Sequence, residues 1–343
     1  MSNVLITGAG GFIGSHVAET FCAEGVHVGC LVRKDSNLKN IKALPVHLEY
    51  GDIVDGGSLI RAFKGYDYVI HIAAFARDWG RYETFYQTNV EGTLNVLKAS
   101  LENGIRNVII TSSVSVYGEE NFRQIKTEDS PHKSHYQYFL DNLFPCKMNY
   151  YRDTKALAKE KAIEFAHEWG LNLTILEPVW VYGEREFTTG FFDYLKTAKS
   201  GIPFLPGCKG NKFHVVYVKD LARAYYLAYL HQLPGVQSII IGNQEADKMD
   251  RIYGLFCEQA GVRKPLNMPK CISYPIGFFM EFIYTLFNLK SAPLLTRGRV
   301  NMFYDNIEYA TAKAERLIGF KNKYGIEEGI ERTVNWYQNQ KLI

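Results

Sequence analysis

The apolar positions fall in short runs at first, and each run is followed by an amphipathic stretch. "NVLIT" reads as a buried strand, and "SHVAETFCAEG" as a helix that stops at Gly25. "VHVGCLV" and "PVHLEYGD" predict the second and third strands, with a helix through "GSLIRAF" after them. "YDYVIHIAA" is a fourth strand, "RYETFYQTNVEGTLNVLKASLENG" a long helix closed by a glycine, and "RNVIITSS" a fifth strand. "YRDTKALAKEKAIEFAHEWG" and "NLTILEPV" add another long helix and a sixth strand. Strands separated by helices predict a parallel sheet covered on both faces, and right-handed crossovers make it a doubly wound α/β fold of Rossmann type. Beyond Gly183 the alternation weakens. "GIPFLPGCKGNKFHVVYV" carries turns and a strand, and "KDLARAYYLAYLHQ" a helix. The expected division is a sheet unit over 1–182 and a smaller mixed lobe over 183–343 that does not stand as an independent domain.

Composition narrows the class. A formal net charge of +3 with dispersed lysines and arginines argues against nucleic acid as the main partner. The six cysteines form no CxxC pair, and Cys22, Cys30, Cys146, Cys208, Cys257 and Cys271 read as reduced thiols of a cytoplasmic protein, mostly core filler. The apolar start runs directly into a glycine-rich turn, with no secretory leader pattern. The longest apolar tract, Pro275 to Leu289, is too short to span a bilayer. His132 and His135 form an HxxH without an evident third ligand, so no metal is expected.

The turn "TGAGGFIG" sets Gly8, Gly11, Phe12, Ile13 and Gly14 between the first strand and the first helix. Gly8 allows the tight turn. Gly11 lets the backbone approach a pyrophosphate at the helix N-terminus, and Gly14 lets helix and sheet pack closely. The unit over 1–182 is therefore expected to bind a dinucleotide. At the end of the second strand an acidic residue would hold the 2′-hydroxyl of NAD, but Val32 stands there, followed by Arg33 and Lys34. An arginine attracts a 2′-phosphate, so NADP is the expected cofactor. Asp35 keeps NAD open, as does the competing reading of Arg33 as a solvated loop residue.

Further stretches extend the pattern: "GDI" at Gly51, "VIHIAA" ending at Ala74, "NVEGT" from Asn89, "TSSVSVYG" from Thr111, "YRDTK" from Tyr151, "EPVWVYG" from Glu177 and "VVYVKDLARA" from Val215. Together they resemble the extended short-chain dehydrogenase/reductase family, in its order, over most of residues 3 to 230. The resemblance implies adenine contacts at Asp52 and Ile53, a cofactor path lined by Ala73, support of the active-site helix by Asn89, and a nicotinamide flanked by Pro178 and Val181. All of these are expected at the cofactor site.

A tyrosine four places before a lysine occurs three times, at Tyr151/Lys155, Tyr309/Lys313 and Tyr337/Lys341. Only Tyr151 belongs to the helix that follows the fifth strand, and it is expected to open that helix. The resemblance makes Ser113, Tyr151 and Lys155 the catalytic set and leaves the other pairs to chance. Phenol is a poor base at neutral pH; a lysine ammonium nearby stabilises phenolate. Ser113 would hold the substrate oxygen. In reduction, Tyr151 gives its proton to a carbonyl oxygen; oxidation runs the steps backwards. His71 reads as a strand residue, and His214 is a candidate to face substrate.

Two features bear on the substrate. The stretch from Tyr117 to Tyr151 is long for the family, and its aromatic-rich part around Tyr136 to Phe144 is expected to border the cleft. The helix around Phe278 to Leu289 is apolar, with Glu281, Thr285 and Asn288 as one polar stripe. It is expected to cap a pocket, pack in a homodimer or lie on a membrane surface. Where nucleotide-sugar epimerases carry a phosphate-holding arginine, this chain has Phe213 and His214. The C-terminal run is similar to the 3β-hydroxysteroid dehydrogenase-like branch. The expectation is a ketone/alcohol oxidoreductase for a largely apolar small molecule. The alternatives are a nucleotide-sugar epimerase or dehydratase with tightly held NAD, and a non-enzymatic dinucleotide sensor.

Overall fold

The computed structural model describes residues 3–119, 124–186, 190–207 and 210–343; Cys208 lies outside them. The other five cysteines are free thiols. Seven strands among the described residues form one parallel sheet: β1 (Asn3–Thr7), β2 (His27–Val32), β3 (Val46–Tyr50), β4 (Tyr68–His71), β5 (Asn107–Thr111), β6 (Asn172–Pro178) and β7 (Val236–Ile241). Their spatial order is 7-6-5-4-1-2-3, and every neighbouring pair is parallel. The order reverses between β1 and β4, which opens a crevice at the carboxyl ends of the strands.

The doubly wound α/β expectation holds. Val4, Leu5 and Ile6 have no exposed surface, as a strand covered on both faces requires. The seventh strand was not foreseen. "VQSIII" follows a helix, Val218–His231, that packs against the first helix, α1 (Phe12–Ala23), and so returns the chain to the sheet beyond β6. The chain thus crosses back over the expected boundary at 182, and the smaller lobe is built from the remaining pieces of the second half. These include helices at Phe191–Lys199, Met249–Gln259, Lys270–Leu286 and Arg297–Tyr304.

Two helices position the cleft. The run from Tyr82 changes to a wider π-helical turn at Tyr86–Glu91 before continuing as Gly92–Glu102. That turn carries Asn89 inward, a common use of a π-bulge. The long helix Met148–Trp169, here α2, starts three residues before Tyr151 rather than at it, and ends where Gly170 turns left-handed.

Candidate active site

The glycine turn is as tight as its sequence suggests. Gly8 has a positive φ of 73°, and a Cβ there would lie 2.7 Å from the Ala73 nitrogen. A Cβ on Gly14 would lie 2.2 Å from the Gly8 oxygen, so only glycine lets α1 start this close to β1. The first-turn N–H groups of α1 have no intrahelical acceptors, which suits a phosphate.

These residues open onto a cavity of about 890 Å³. Gly8, Gly11, Phe12, Ile13 and Gly14 line its floor, with Arg33, Ser36, Asn37, Asp52 and Ile53 at one end. Ala73 lies along the middle, and Ser113, Tyr151, Lys155, Pro178 and Val181 surround the other end. A trench running from the end of β2 to the end of β5, floored by glycines, fits an extended dinucleotide. Arg33 is largely exposed and lies 3.5 Å from Asp35, while its backbone N–H donates to Ser36 Oγ at 2.8 Å. Asn89 does not reach the cavity. Its amide accepts from the Phe75 N–H at 2.8 Å and donates to Thr154 Oγ1 at 3.1 Å, which ties the loop after β4 to α2. These bonds hold it beside α2, outside the cavity lining.

Ser113, Tyr151 and Lys155 meet at the end of β5. Ser113 begins a 3-10 turn and accepts from the Ser115 N–H at 3.2 Å. Ser113 hydrogen-bonds the Tyr151 phenol, yet burial pushes that phenol up to about 12, and the Glu119 carboxylate adds to the rise. Lys155 Nζ donates to the Thr111 carbonyl at 2.6 Å, and burial pushes the ammonium down to about 8. The ammonium thus reaches the end of β5. One turn further, Lys159 pairs with Glu177 at 2.9 Å and donates to the Tyr117 hydroxyl at 2.6 Å. Two buried lysines on one helical face thus fix α2 against β5 and β6.

The remaining candidates lie elsewhere. His71 is buried in β4 between Thr7 Oγ1 (2.8 Å) and Thr93 Oγ1 (3.1 Å), and burial followed by the Lys155 charge holds it neutral, down to about 3. His214 does not face the cleft: Nε2 donates to the Asn243 carbonyl at 2.7 Å and Nδ1 accepts from the Tyr309 N–H at 3.2 Å. The Tyr309 hydroxyl donates to the Gly118 carbonyl at 2.8 Å and that of Tyr337 to Glu186 at 3.1 Å, so neither pair lines the cavity. His132 turns to Glu160 and His135 to Asp153, each at 2.8 Å.

The substrate end differs from expectation. The aromatic insertion and the apolar helix do not wall the cleft. Phe139 packs on Phe278 and Phe144 on Phe282, and these rings lie outside the cavity lining. The lobe wall is instead Tyr194, Leu205, Pro206, Leu294, Leu295, Met302 and Phe303. Charged groups in that part were also not foreseen. Arg299 pairs with Asp78 across the cleft, and Arg152, 0% exposed, donates to Glu119 at 2.9 Å and to the Tyr138 hydroxyl at 2.7 Å. Nothing local marks them in the sequence, because their burial depends on segments over a hundred residues apart or on a loop of irregular length.

Residues 4–242 match the model of the NAD dependent epimerase/dehydratase family. The chain belongs to this family. As a family member it is an NAD(P)-dependent enzyme of the extended short-chain dehydrogenase/reductase type. A 2-alkyl-3-oxoalkanoate reductase of Stenotrophomonas maltophilia is 28% identical over 96% of this chain and 97% of its own length. A relative at 27% identity, covering 97% of this chain and 95% of its own, is named N-acetyl-α-D-glucosaminyl-diphospho-ditrans,octacis-undecaprenol 4-epimerase, from Escherichia coli O157:H7. Among solved structures, the UDP-glucose 4-epimerase of Thermotoga maritima has a TM-score of 0.77 at 23% identity, covering 99% of each chain, and shares the fold. Family members of both kinds, reductases and epimerases, thus resemble the chain to a similar degree.

Proposed function

We propose that the enzyme reduces a ketone on a largely apolar substrate, such as an acyl-chain or steroid-like compound, with NADP(H). The observation that carries the reading is the apolar lobe wall, Leu205, Pro206, Leu294, Leu295, Met302 and Phe303, in the cavity that also holds Tyr151 and Ser113. Apolar ligand surface buried there contributes about 25 cal/mol per Å². Pro178, Val181 and Lys155 would hold the bound nicotinamide, which would supply the hydride. Tyr151, with its phenol raised to about 12, holds its proton at neutral pH and is set up to donate it to a carbonyl oxygen. Ser113, already bonded to that phenol, would orient the same oxygen. Arg33 and Ser36 at the far end support the preference for NADP, since both offer donors to a 2′-phosphate. The similarity to a 3-oxoalkanoate reductase agrees with this substrate class.

One observation favours a second reading, a nucleotide-sugar or lipid-diphosphate-sugar epimerase: Arg77 and Arg299 line the same cavity and could hold a diphosphate. Thermal-shift screening with cofactor present separates the two. Apolar ketones, 3-oxo acids included, are expected to raise the melting temperature and to oxidise NADPH. Stabilisation by UDP- or dTDP-sugars alone would replace the reductase reading with the epimerase.

A further inference from the structure

The helix Lys270–Leu286 is built inside out. Its buried positions are Ser273, Gly277 and Glu281, small or polar and one turn apart. Gly277 lets it lie directly on the backbone of Thr296, where a Cβ would come within 3.1 Å. Glu281 is held by Arg297 Nε at 2.6 Å and its N–H at 2.9 Å. Five outward positions repeat at four and three residues and are large and apolar: Ile272, Ile276, Phe279, Ile283 and Leu286; Cys271 and Pro275 are also exposed. Phe279 is 61% and Leu286 65% exposed, and Phe139 and Leu143 of the packed insertion are 60% and 71% exposed. A helix that hides its carboxylate and presents its isoleucines and phenylalanines needs an apolar neighbour on that side.

We infer that this face docks the enzyme on a bilayer bearing anionic headgroups. Charge selects that occupant. From Arg263 to Arg299 the acidic side chains amount to Glu281 alone, which is buried against Arg297, and Asp141 of the insertion is buried as well. The exposed or half-exposed charges that these two segments offer are therefore basic: Arg263, Lys290 and Lys147, the last over the Trp79 ring at 4.0 Å, while Lys270 lies 3.7 Å from the buried Asp305. Two copies joined through this face by a twofold axis would bring these cations together with no exposed carboxylate from either segment to match them. Anionic lipid headgroups supply that complement, and the acyl region accepts the apolar stripe. The face also runs into the cavity. Leu294, 43% exposed, belongs to the segment that follows the helix, and Leu294 and Leu295 line the cavity wall. A greasy ligand can then pass from lipid to cleft without crossing bulk water. That delivery step rests on the apolar-substrate reading; the docking does not.

The test is flotation of the full chain with vesicles of phosphatidylcholine alone, or of phosphatidylcholine and phosphatidylglycerol in equal parts. The wild type is expected to float with the anionic vesicles at least about tenfold better than with the neutral ones, and less at high salt. The double variant Phe279→Ser, Leu286→Ser is expected to lose at least about tenfold in partitioning while keeping its melting temperature, since both side chains are exposed. Lys290→Glu, which touches only an exposed charge, should weaken anionic binding alone and so decides the matter even if the double variant misfolds. No flotation of the wild type, or equal flotation with both vesicles, overturns the proposal. So does a dimer in sedimentation equilibrium that the double variant turns into a monomer, with no vesicle binding. Loss of docking with unchanged turnover of a dispersed apolar ketone leaves the catalytic reading standing, so the two ideas fail separately.

Discussion

Lys155→Met is expected to make the cofactor-free protein more stable while removing its activity. Lys155 is buried, with its ammonium lowered from 10.5 to about 8 by desolvation. A base whose folded value is depressed binds fewer protons when folded than when unfolded between those two limits. Stability therefore rises with pH from about 8 to about 10.5 and carries the full penalty below about 8. A shift of that size corresponds to about 3 kcal/mol at pH 7. Methionine removes the charge but also a hydrogen bond to the Thr111 carbonyl, which costs about 1 kcal/mol. The variant should thus be more stable by about 2 kcal/mol at neutral pH, and the advantage should vanish by about pH 10. Guanidinium unfolding of both proteins at pH 7 and at higher pH measures the difference directly, and other titrating groups cancel in it. A variant less stable than wild type at pH 7, or a difference that does not change with pH, would refute the reasoning.

Tyr151→Phe should abolish turnover while dinucleotide binding by calorimetry persists; loss of activity in Tyr309→Phe with Tyr151→Phe active would show that the wrong pair was chosen. Arg33→Ala should weaken NADP by roughly ten- to a hundredfold and leave NAD nearly unchanged, since a charge-assisted contact commonly contributes about 1.5–3 kcal/mol. Glu281→Leu should cost about 3–5 kcal/mol because Arg297, 1% exposed, keeps its charge without its carboxylate; a companion Arg297→Met should restore much of that loss.

The parts of the fold that local chemistry controls were legible. The glycine turn is readable because a Cβ at Gly14 has no room, and the first six strands because short β-prone runs are bounded by helices or, between β2 and β3, by turns. Tyr151 stood out from the other two pairs because of its place after β5. Other features depend on partners far away in the chain. "VQSIII" reads as an isolated apolar run until the helix before it packs on α1. The aromatic insertion and the apolar helix are both greasy, which suggests a ligand wall. They bury part of that surface against each other, and the wall falls to Leu205, Leu294 and Met302. The polar stripe of Glu281 was visible, but not that it points inward. Arg297, which draws it in, sits sixteen residues on with no periodic link. Arg299 and Asp78 meet across 221 residues, beyond the reach of spacing.

A Ser113–Tyr151–Lys155 reductase releases its oxidised cofactor after each turnover, so the cofactor must be exchangeable. The most direct measurement is the dinucleotide content of the purified protein before and after gel filtration, followed by NADPH consumption with apolar ketones. Any bound dinucleotide is expected to wash out, NADP to rebind more tightly than NAD, and NADPH to be consumed. Stoichiometric NAD that survives gel filtration, with no NADPH consumption by any apolar ketone, would contradict the reductase reading.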